Sequence, residues 1–261
     1  MFDFHMHSKV SFDGRSTALE MARAAAAAGL KEICFTDHID LDPLAEKQTM
    51  IFDTQEYLDA YSDLQVEGLI IRRGMEYGLL PDNQEAFRED LQRYPFDFVL
   101  GSVHFTENVD PYFPAYWQGK DQVTAERRYF EEILTCVQRH ESYDVLGHLT
   151  YLGKTMSNPN KRAIPYIEYR EVVDEILRTL AQKGKGMEVN TSGMGSCGAF
   201  LPTAEYLRRF KELGGQIVTV GSDAHDTLRV GQHCREAMQM LGEIFGYVCT
   251  FRGRQPVFHK I

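Results

Sequence analysis

Seven times along this chain an apolar, strand-like run is followed by a helix-like segment, and that alternation restricts the fold more than any other feature. The strand-like runs are Phe2–His5, Glu32–Thr36, Leu69–Met75, Phe96–Val103, Asp144–Gly147, Gly186–Asn190 and Gln216–Gly221. The helix-like segments are Ala18–Ala28, Thr54–Val66, Gln84–Arg93, Thr124–His140, Tyr169–Lys183, Thr203–Leu213 and Gly231–Leu241. Some carry their own signals. The alanine-rich first helix stops at Gly29, and Thr54 is the expected N-cap of a helix with Tyr57, Leu58, Tyr61 and Leu64 on one face. Strands separated by helices pair in parallel, because parallel neighbours need a crossover. No break in composition divides residues 1–261, so one domain is expected, of class α/β, built as a closed or nearly closed barrel. A doubly wound open sheet is the alternative, but no Gly-x-Gly-x-x-Gly turn follows the first strand. Two longer connections, 39–53 and 105–123, interrupt the rhythm. The second is rich in aromatics, which suits either a wall over a site or surface packing.

Charge and cysteine usage narrow the partners. A net charge of −10 without a long basic run argues against an extended nucleic-acid surface. No apolar run reaches the roughly 18 residues that a membrane span needs, and no basic-then-apolar leader opens the sequence. The five cysteines are scattered and odd in number, which is no disulfide framework and fits a cytoplasmic protein. Oligomeric state is not legible from the sequence.

The chemistry-bearing residues fall on this map in a pattern. His5, His7, His38, His104, His148 and His225 all stand at C-terminal ends of expected strands, as do Asp37, Glu76 and Asp223. Asp13 follows in the first loop, whereas His140, His233 and His259 lie elsewhere and are read as structural or solvent-facing. A single histidine at a strand end is usually a hydrogen-bonded structural residue. Six of nine at one rim are not explained that way. The C-terminal rim of a parallel barrel gathers residues distant in sequence into one crater. Residues i and i+2 of an extended segment share a face, so His5 and His7 can clamp one ion. Imidazole and carboxylate donors suit Zn, Mn or Fe, and so many of them imply two or three divalent ions, with Glu76 able to bridge two.

The motifs His5-x-His7, Thr36-Asp37-His38, Gly74-Met75-Glu76, Gly101-Ser102-Val103-His104, Gly147-His148 and Gly221-Ser222-Asp223-Ala224-His225, in this order, resemble the PHP (polymerase and histidinol phosphatase) family. Within it the chain is most similar to bacterial histidinol-phosphate phosphatases. The resemblance implies a distorted (β/α)7 TIM-like barrel and a trinuclear centre. By position, His5, His7, Glu76 and Asp223 would hold one ion, and Glu76, His104 and His148 a second. His38 and His225 would hold a third, with Asp13 where many relatives have histidine. Asp37, His38, Glu76, Asp223 and His225 are then expected to carry the chemistry, Asp37 as a partner that orients a histidine.

The expected reaction is hydrolysis of a small phosphate monoester, L-histidinol phosphate first among them, by a metal-activated hydroxide attacking phosphorus in line. Lys154 and Arg229 sit just beyond rim histidines and are the expected phosphate-binding cations; Lys161 and Arg162 are weaker candidates. Asn190, Ser192 and Glu107 are candidates for the organic part of the substrate, and Glu188 is expected to be structural or to support a ligand. The alternatives are a PHP phosphoesterase acting on nucleotides, an amidohydrolase and a non-catalytic metal-binding module. No expected strand ends in the lysine that amidohydrolases carboxylate.

Overall fold

The computed structural model describes residues 1–261. In chain order its elements are β1 (Phe2–Met6), α1 (Ala18–Ala27), β2 (Glu32–Asp40), β3 (Met50–Ile51), α2 (Thr54–Tyr61), β4 (Ile70–Gly78), α3 (Gln84–Gln92), β5 (Phe98–Ser102), α4 (Pro114–Trp117) and α5 (Gln122–Arg139). They continue with β6 (Val145–Leu146), α6 (Arg170–Gln182), β7 (Gly186–Asn190), α7 (Ala204–Glu212), β8 (Val218–Gly221), α8 (Cys234–Ile244), β9 (Tyr247–Arg252) and β10 (Gln255–Lys260).

Seven of the strands run parallel in the order β1-β2-β4-β5-β6-β7-β8, and β3 adds antiparallel to β2. The curl brings β8 back to β1, where the Asp223 N–H donates to the His5 carbonyl at 2.7 Å and the His7 N–H to the Ala224 carbonyl at 2.8 Å. The result is a nearly closed barrel, as expected from the alternation, with the distorted (β/α)7 form that the family resemblance implies. Most of the apolar core lies between the strands and the surrounding helices. A smaller cluster of Phe4, Cys34, Phe98, Leu100, Val145 and Phe251 fills the barrel toward the N-terminal ends of its strands.

Three features differ from the sequence reading. The expected second and third strands end at Thr36 and Met75, whereas β2 runs on to Asp40 and β4 to Gly78. Their ladder continues because polar side chains at the rim find polar partners instead of ending the strand. Helix α2 is capped by Asp53, whose carboxylate accepts from the Gln55 and Glu56 N–H groups, so Thr54 is its first residue; the helix stops at Tyr61. The β9–β10 hairpin was not anticipated at all. Gly253 and Arg254 both have positive φ, at 53° and 65°, which gives the two-residue turn the twist its strands need. Gly-Arg is a weak signal for that turn, so the sequence hides it.

The hairpin closes the N-terminal mouth. Phe251 packs on Phe98 with ring centroids 4.9 Å apart. The Gly253 N–H donates to Asp97 Oδ1 at 2.9 Å, and the Arg254 guanidinium reaches the Asp144 carboxylate. At the opposite mouth, the long 105–123 connection divides its aromatics. Tyr116 and Trp117 are buried, with Trp117 Nε1–H donating to the Pro111 carbonyl at 2.8 Å, while Tyr112 and Phe113 stay exposed.

Candidate metal centre

The histidine pair at the end of β1 depends on a fault in the strand. Phe4 belongs to the apolar barrel interior, yet its neighbour His5 reaches Glu76 in the same interior. Regular alternation forbids this. Between Asp3 and Met6 the register against β2 slips by one residue, and this bulge resets the parity so that His5 and His7 both face inward. Two glycines make room. A Cβ at Gly221 would collide with His5 and Glu188, and one at Gly78 with the Asp40 carboxylate.

Glu76 is the hub. Its Oε2 lies 3.0 Å from His5 Nε2, 3.4 Å from His7 Nε2 and 3.4 Å from His38 Nδ1. Its Oε1 lies 2.9 Å from His148 Nε2 and 3.3 Å from His104 Nε2. Asp223 Oδ1 sits 3.6 Å from His5 Nε2 and 3.5 Å from His7 Nε2. Asp223 has a left-handed φ of 55°, a conformation that aspartate tolerates better than most residues. At the outer lip, Asp13 Oδ2 meets His225 Nε2 at 2.9 Å and His38 Nε2 at 3.7 Å.

The six rings share one orientation. Each turns Nε2 toward a site carboxylate, and in four of them, His5, His7, His104 and His225, Nδ1 is hydrogen-bonded from behind. The carboxylate of Glu188 accepts from His5 Nδ1 at 2.6 Å, and that of Asp40 accepts from His104 Nδ1 at 2.9 Å and faces His38 Nδ1 at 3.1 Å. The Ser11 hydroxyl meets His7 Nδ1 at 3.2 Å, and the Asp223 carbonyl accepts from His225 Nδ1 at 2.9 Å. The Nδ1 atoms of His38 and His148 have no hydrogen-bond partner; that of His38 faces the carboxylates of Asp40 and Glu76 by charge alone. A ring held by Nδ1–H presents the lone pair of Nε2, the form in which imidazole binds metals.

Two pairs of Nε2 atoms also face one another, 3.1 Å apart for His5 and His7 and 3.3 Å for His104 and His148. Lone pairs crowded together beside buried carboxylates fit a divalent cation between them. Four donor triads lie within 4.8 Å: His5–His7–Asp223, His5–Glu76–His148, His7–His38–His225 and His38–Asp40–His104. The donor set therefore fits divalent metal.

The protonation pattern points the same way. Burial alone would lower His5, His38 and His104, but neighbouring carboxylates outweigh it. Glu188 and Glu76 raise His5 well above its ordinary value, Asp40 and Glu76 do the same to His104, and Glu76 with Asp40 raises His38 to about 9. His7, buried among other imidazoles, falls to about 3, and burial also lowers His148. Burial opposes ionisation of Glu76 and Asp223, yet His5 and His38 beside Glu76, and Lys154 and His5 beside Asp223, hold both far below the carboxylate range. Protons shared among these imidazoles balance acids that cations would otherwise balance.

All nine expected ligands converge here: His5, His7, Asp13, His38, Glu76, His104, His148, Asp223 and His225. Lys154 converges too, its ammonium on Asp223 Oδ2 and 2.8 Å from Ser192 Oγ. Ser192 and Asn190 stand beside it, with the Ser192 hydroxyl donating to Asn190 Oδ1 at 2.6 Å. Arg229 does not converge; its side chain is exposed and makes no ion pair, and only its backbone N–H bonds, to the Asp226 carbonyl. Arg162 is occupied by Glu126 and Glu168, and Glu107 by Lys120 and Arg128. Asp37 makes no direct bond to a histidine. It accepts from the Ser8 N–H at 2.8 Å and from the Tyr61 hydroxyl, so it fixes the loop after His7. Sequence reasoning missed Asp40. Its signal is the His38-x-Asp40 spacing, which places both on one face of β2, four residues beyond the Thr36 end of the expected strand.

The PHP domain matches residues 3–192. Over 256 residues the chain is 31% identical to the histidinol-phosphatase of Lactococcus lactis subsp. lactis, spanning 96% of this chain and 94% of that one. It is 29% identical over 243 residues to a probable histidinol-phosphatase of Clostridium acetobutylicum, spanning 92% of each. The crystal structure of the Lactococcus lactis histidinol phosphate phosphatase complexed with Zn, L-histidinol and phosphate has a TM-score of 0.87 to this fold, at 30% identity and 98% coverage of both chains.

Proposed function

This chain belongs to the PHP family, and on that premise we propose that it hydrolyses L-histidinol phosphate to L-histidinol and phosphate, using two or three divalent ions drawn from Zn, Mn and Fe. The observation that carries the reading is the convergence of six imidazoles and the carboxylates of Asp13, Glu76 and Asp223 on one mouth of the barrel. His5, His7, Glu76 and Asp223 would hold one ion, Glu76, His104 and His148 a second, and Asp13, His38 and His225 a third. When bound, such ions lower the pKa of water and neutralise charge on phosphoryl oxygens.

The chain's own residues do the rest. Lys154 is the half-buried cation of the rim, and its ammonium can exchange the Asp223 carboxylate for a phosphoryl oxygen. The Ser192 hydroxyl, held by Asn190, adds a neutral donor beside it. Arg229, exposed outside the mouth on the loop after His225, is proposed only as a peripheral cation that draws phosphate toward it. Tyr151, its ring centroid 5.1 Å from that of His148 and 5.9 Å from that of His104, shields their side of the mouth from water. Asp37 acts through the loop that carries Ser8 and Ser11 and so steadies His7. The barrel is proposed to act as one catalytic domain over residues 1–261. No helix is long and apolar enough to cross a membrane, and the five free cysteines suit a cytoplasmic enzyme.

The test is phosphate release from L-histidinol phosphate, other small monoesters, nucleotides and diesters, after chelation and re-addition of Zn, Mn or Fe. The reading expects histidinol phosphate to give the highest kcat/KM, only with metal restored. A higher kcat/KM for a nucleotide or diester, or full activity after chelation, overturns it.

A further inference from the structure

Two buried carboxylates that belong to none of the three proposed ligand sets each grip two ligand-bearing residues. Asp40, on β2, hydrogen-bonds His104 Nδ1 at 2.9 and 3.0 Å with its pair of oxygens and faces His38 Nδ1 at 3.1 Å as a charge pair. Glu188, on β7, accepts from His5 Nδ1 at 2.6 Å and from the His148 backbone N–H at 2.8 Å. In the proposed assignment these four ligands are not neighbours around single ions. His38 serves the outer subsite and His104 the inner one opposite β1, so Asp40 spans those two. His5 and His148 likewise belong to different subsites, and Glu188 spans them. Both carboxylates are almost fully buried, and both stand where a glycine leaves room: Gly78 against Asp40, and Gly221 against Glu188.

We propose that Asp40 and Glu188 are positioning residues that couple the metal subsites, so that the centre loads as one unit and not as independent sites. A ring fixed through Nδ1 is aimed before any ion arrives. Glu188 hydrogen-bonds two ligand-bearing residues of different subsites, and Asp40 hydrogen-bonds one ligand and pairs by charge with another, so disturbing either carboxylate bears on two subsites. Neither residue is expected to touch the substrate. Asp40 has both oxygens on His104 Nδ1 with His38 beside them, and Glu188 is held by His5, His148 and Asn190. This inference rests on the reading of the mouth as a metal centre.

The experiment measures metal content against free-metal concentration for the full chain and for Asp40→Asn and Glu188→Gln, together with circular dichroism and thermal melting of each metal-free protein. The native chain should bind more than one equivalent with steep, cooperative loading. Each variant should lose affinity by about 10- to 100-fold at two subsites together, with shallower loading, while its metal-free spectrum stays native-like. Native affinity and steepness in a folded variant would overturn the inference, leaving that carboxylate a merely structural group. Loss of one whole equivalent with the others unchanged would also overturn it, because the residue would then be a ligand itself. Should Asp40→Asn fail to fold, Glu188→Gln alone decides. If the native chain binds no metal, the reading of the mouth fails, an outcome distinct from the failure of the coupling.

Discussion

The two mouths of this barrel are built from the same strands and have opposite interiors. At the N-terminal mouth, Phe4, Phe98, Leu100 and Val145 meet Phe251 of the hairpin, and the seal is apolar with an ionic cover from Arg254, Asp97 and Asp144. At the C-terminal mouth, a few residues further along those strands, buried side chains include His5, His7, His38, Glu76, His148 and Asp223. Burying ionised groups opposes folding unless each finds a partner. The apolar end needs no such pairing and gains from every buried methylene. The difference teaches a division of labour along one axis: one end holds the barrel shut, and the other is tolerated because it has work to do.

That contrast breaks if substitutions at the two ends have the same consequences. The largest effect is expected at the hub. Glu76→Gln should lower kcat/KM by about 10⁴-fold, or about 5.5 kcal/mol of transition-state stabilisation, while the metal-free fold survives in circular dichroism. Retention of activity within tenfold would remove Glu76 from the centre. Phe251→Ala should do the reverse. Its cavity should cost about 4 kcal/mol in urea unfolding, with metal content and the kcat/KM of the folded fraction unchanged. A kinetic defect there would mean that the mouths are not independent.

Two smaller effects sharpen the picture of the polar mouth. Lys154→Ala should raise KM about 30-fold, a loss of about 2 kcal/mol for one charge-assisted contact, whereas Arg229→Ala should change KM more weakly, by about twofold. The opposite ranking would make Arg229 the principal phosphate contact.

The last effect is in pH. His38 is raised from 6.5 to about 9, and His5 and His104 are raised too, so at neutral pH the metal-free chain carries protons that a cation must displace. Calorimetry in buffers of different ionisation enthalpy should report proton release on metal binding. Affinity should climb about tenfold per pH unit for each proton released between pH 7 and 9. The metal-free fold should move the other way. Its share of stability from these raised imidazoles is complete below the unfolded value near 6.5 and is lost as pH rises through about 9. Pairing confined to the apolar mouth would leave both quantities flat.

Much of this was legible in the sequence because two periodicities agree. Apolar runs alternating with helices give the barrel, and polar residues at the ends of those runs give the rim. His5, His104 and Asp223 could be placed together without any contact being known. What was not legible depends on geometry with no local code. The β1 bulge is a register slip, invisible without the partner strand. Asp40 was lost because a buried polar residue looks like the end of a strand until its histidine partners are known. The hairpin plug was lost because Gly253-Arg254 is an uncommon turn pair. Arg229 shows the reverse failure: nearness in sequence to His225 does not carry a side chain into the mouth.

The seam between β1 and β8 has one further consequence. Only a short stretch of backbone pairing joins these strands, around His5, His7, Asp223 and Ala224. His5 and His7 are separated from Asp223 by more than two hundred residues. An ion gripped from both sides would therefore behave as a reversible cross-link, in effect a disulfide without cysteines. Closing so long a loop removes about 5 kcal/mol of chain entropy from the unfolded state. The same grip that readies the centre for chemistry would thus fasten the cylinder where its first and last strands meet.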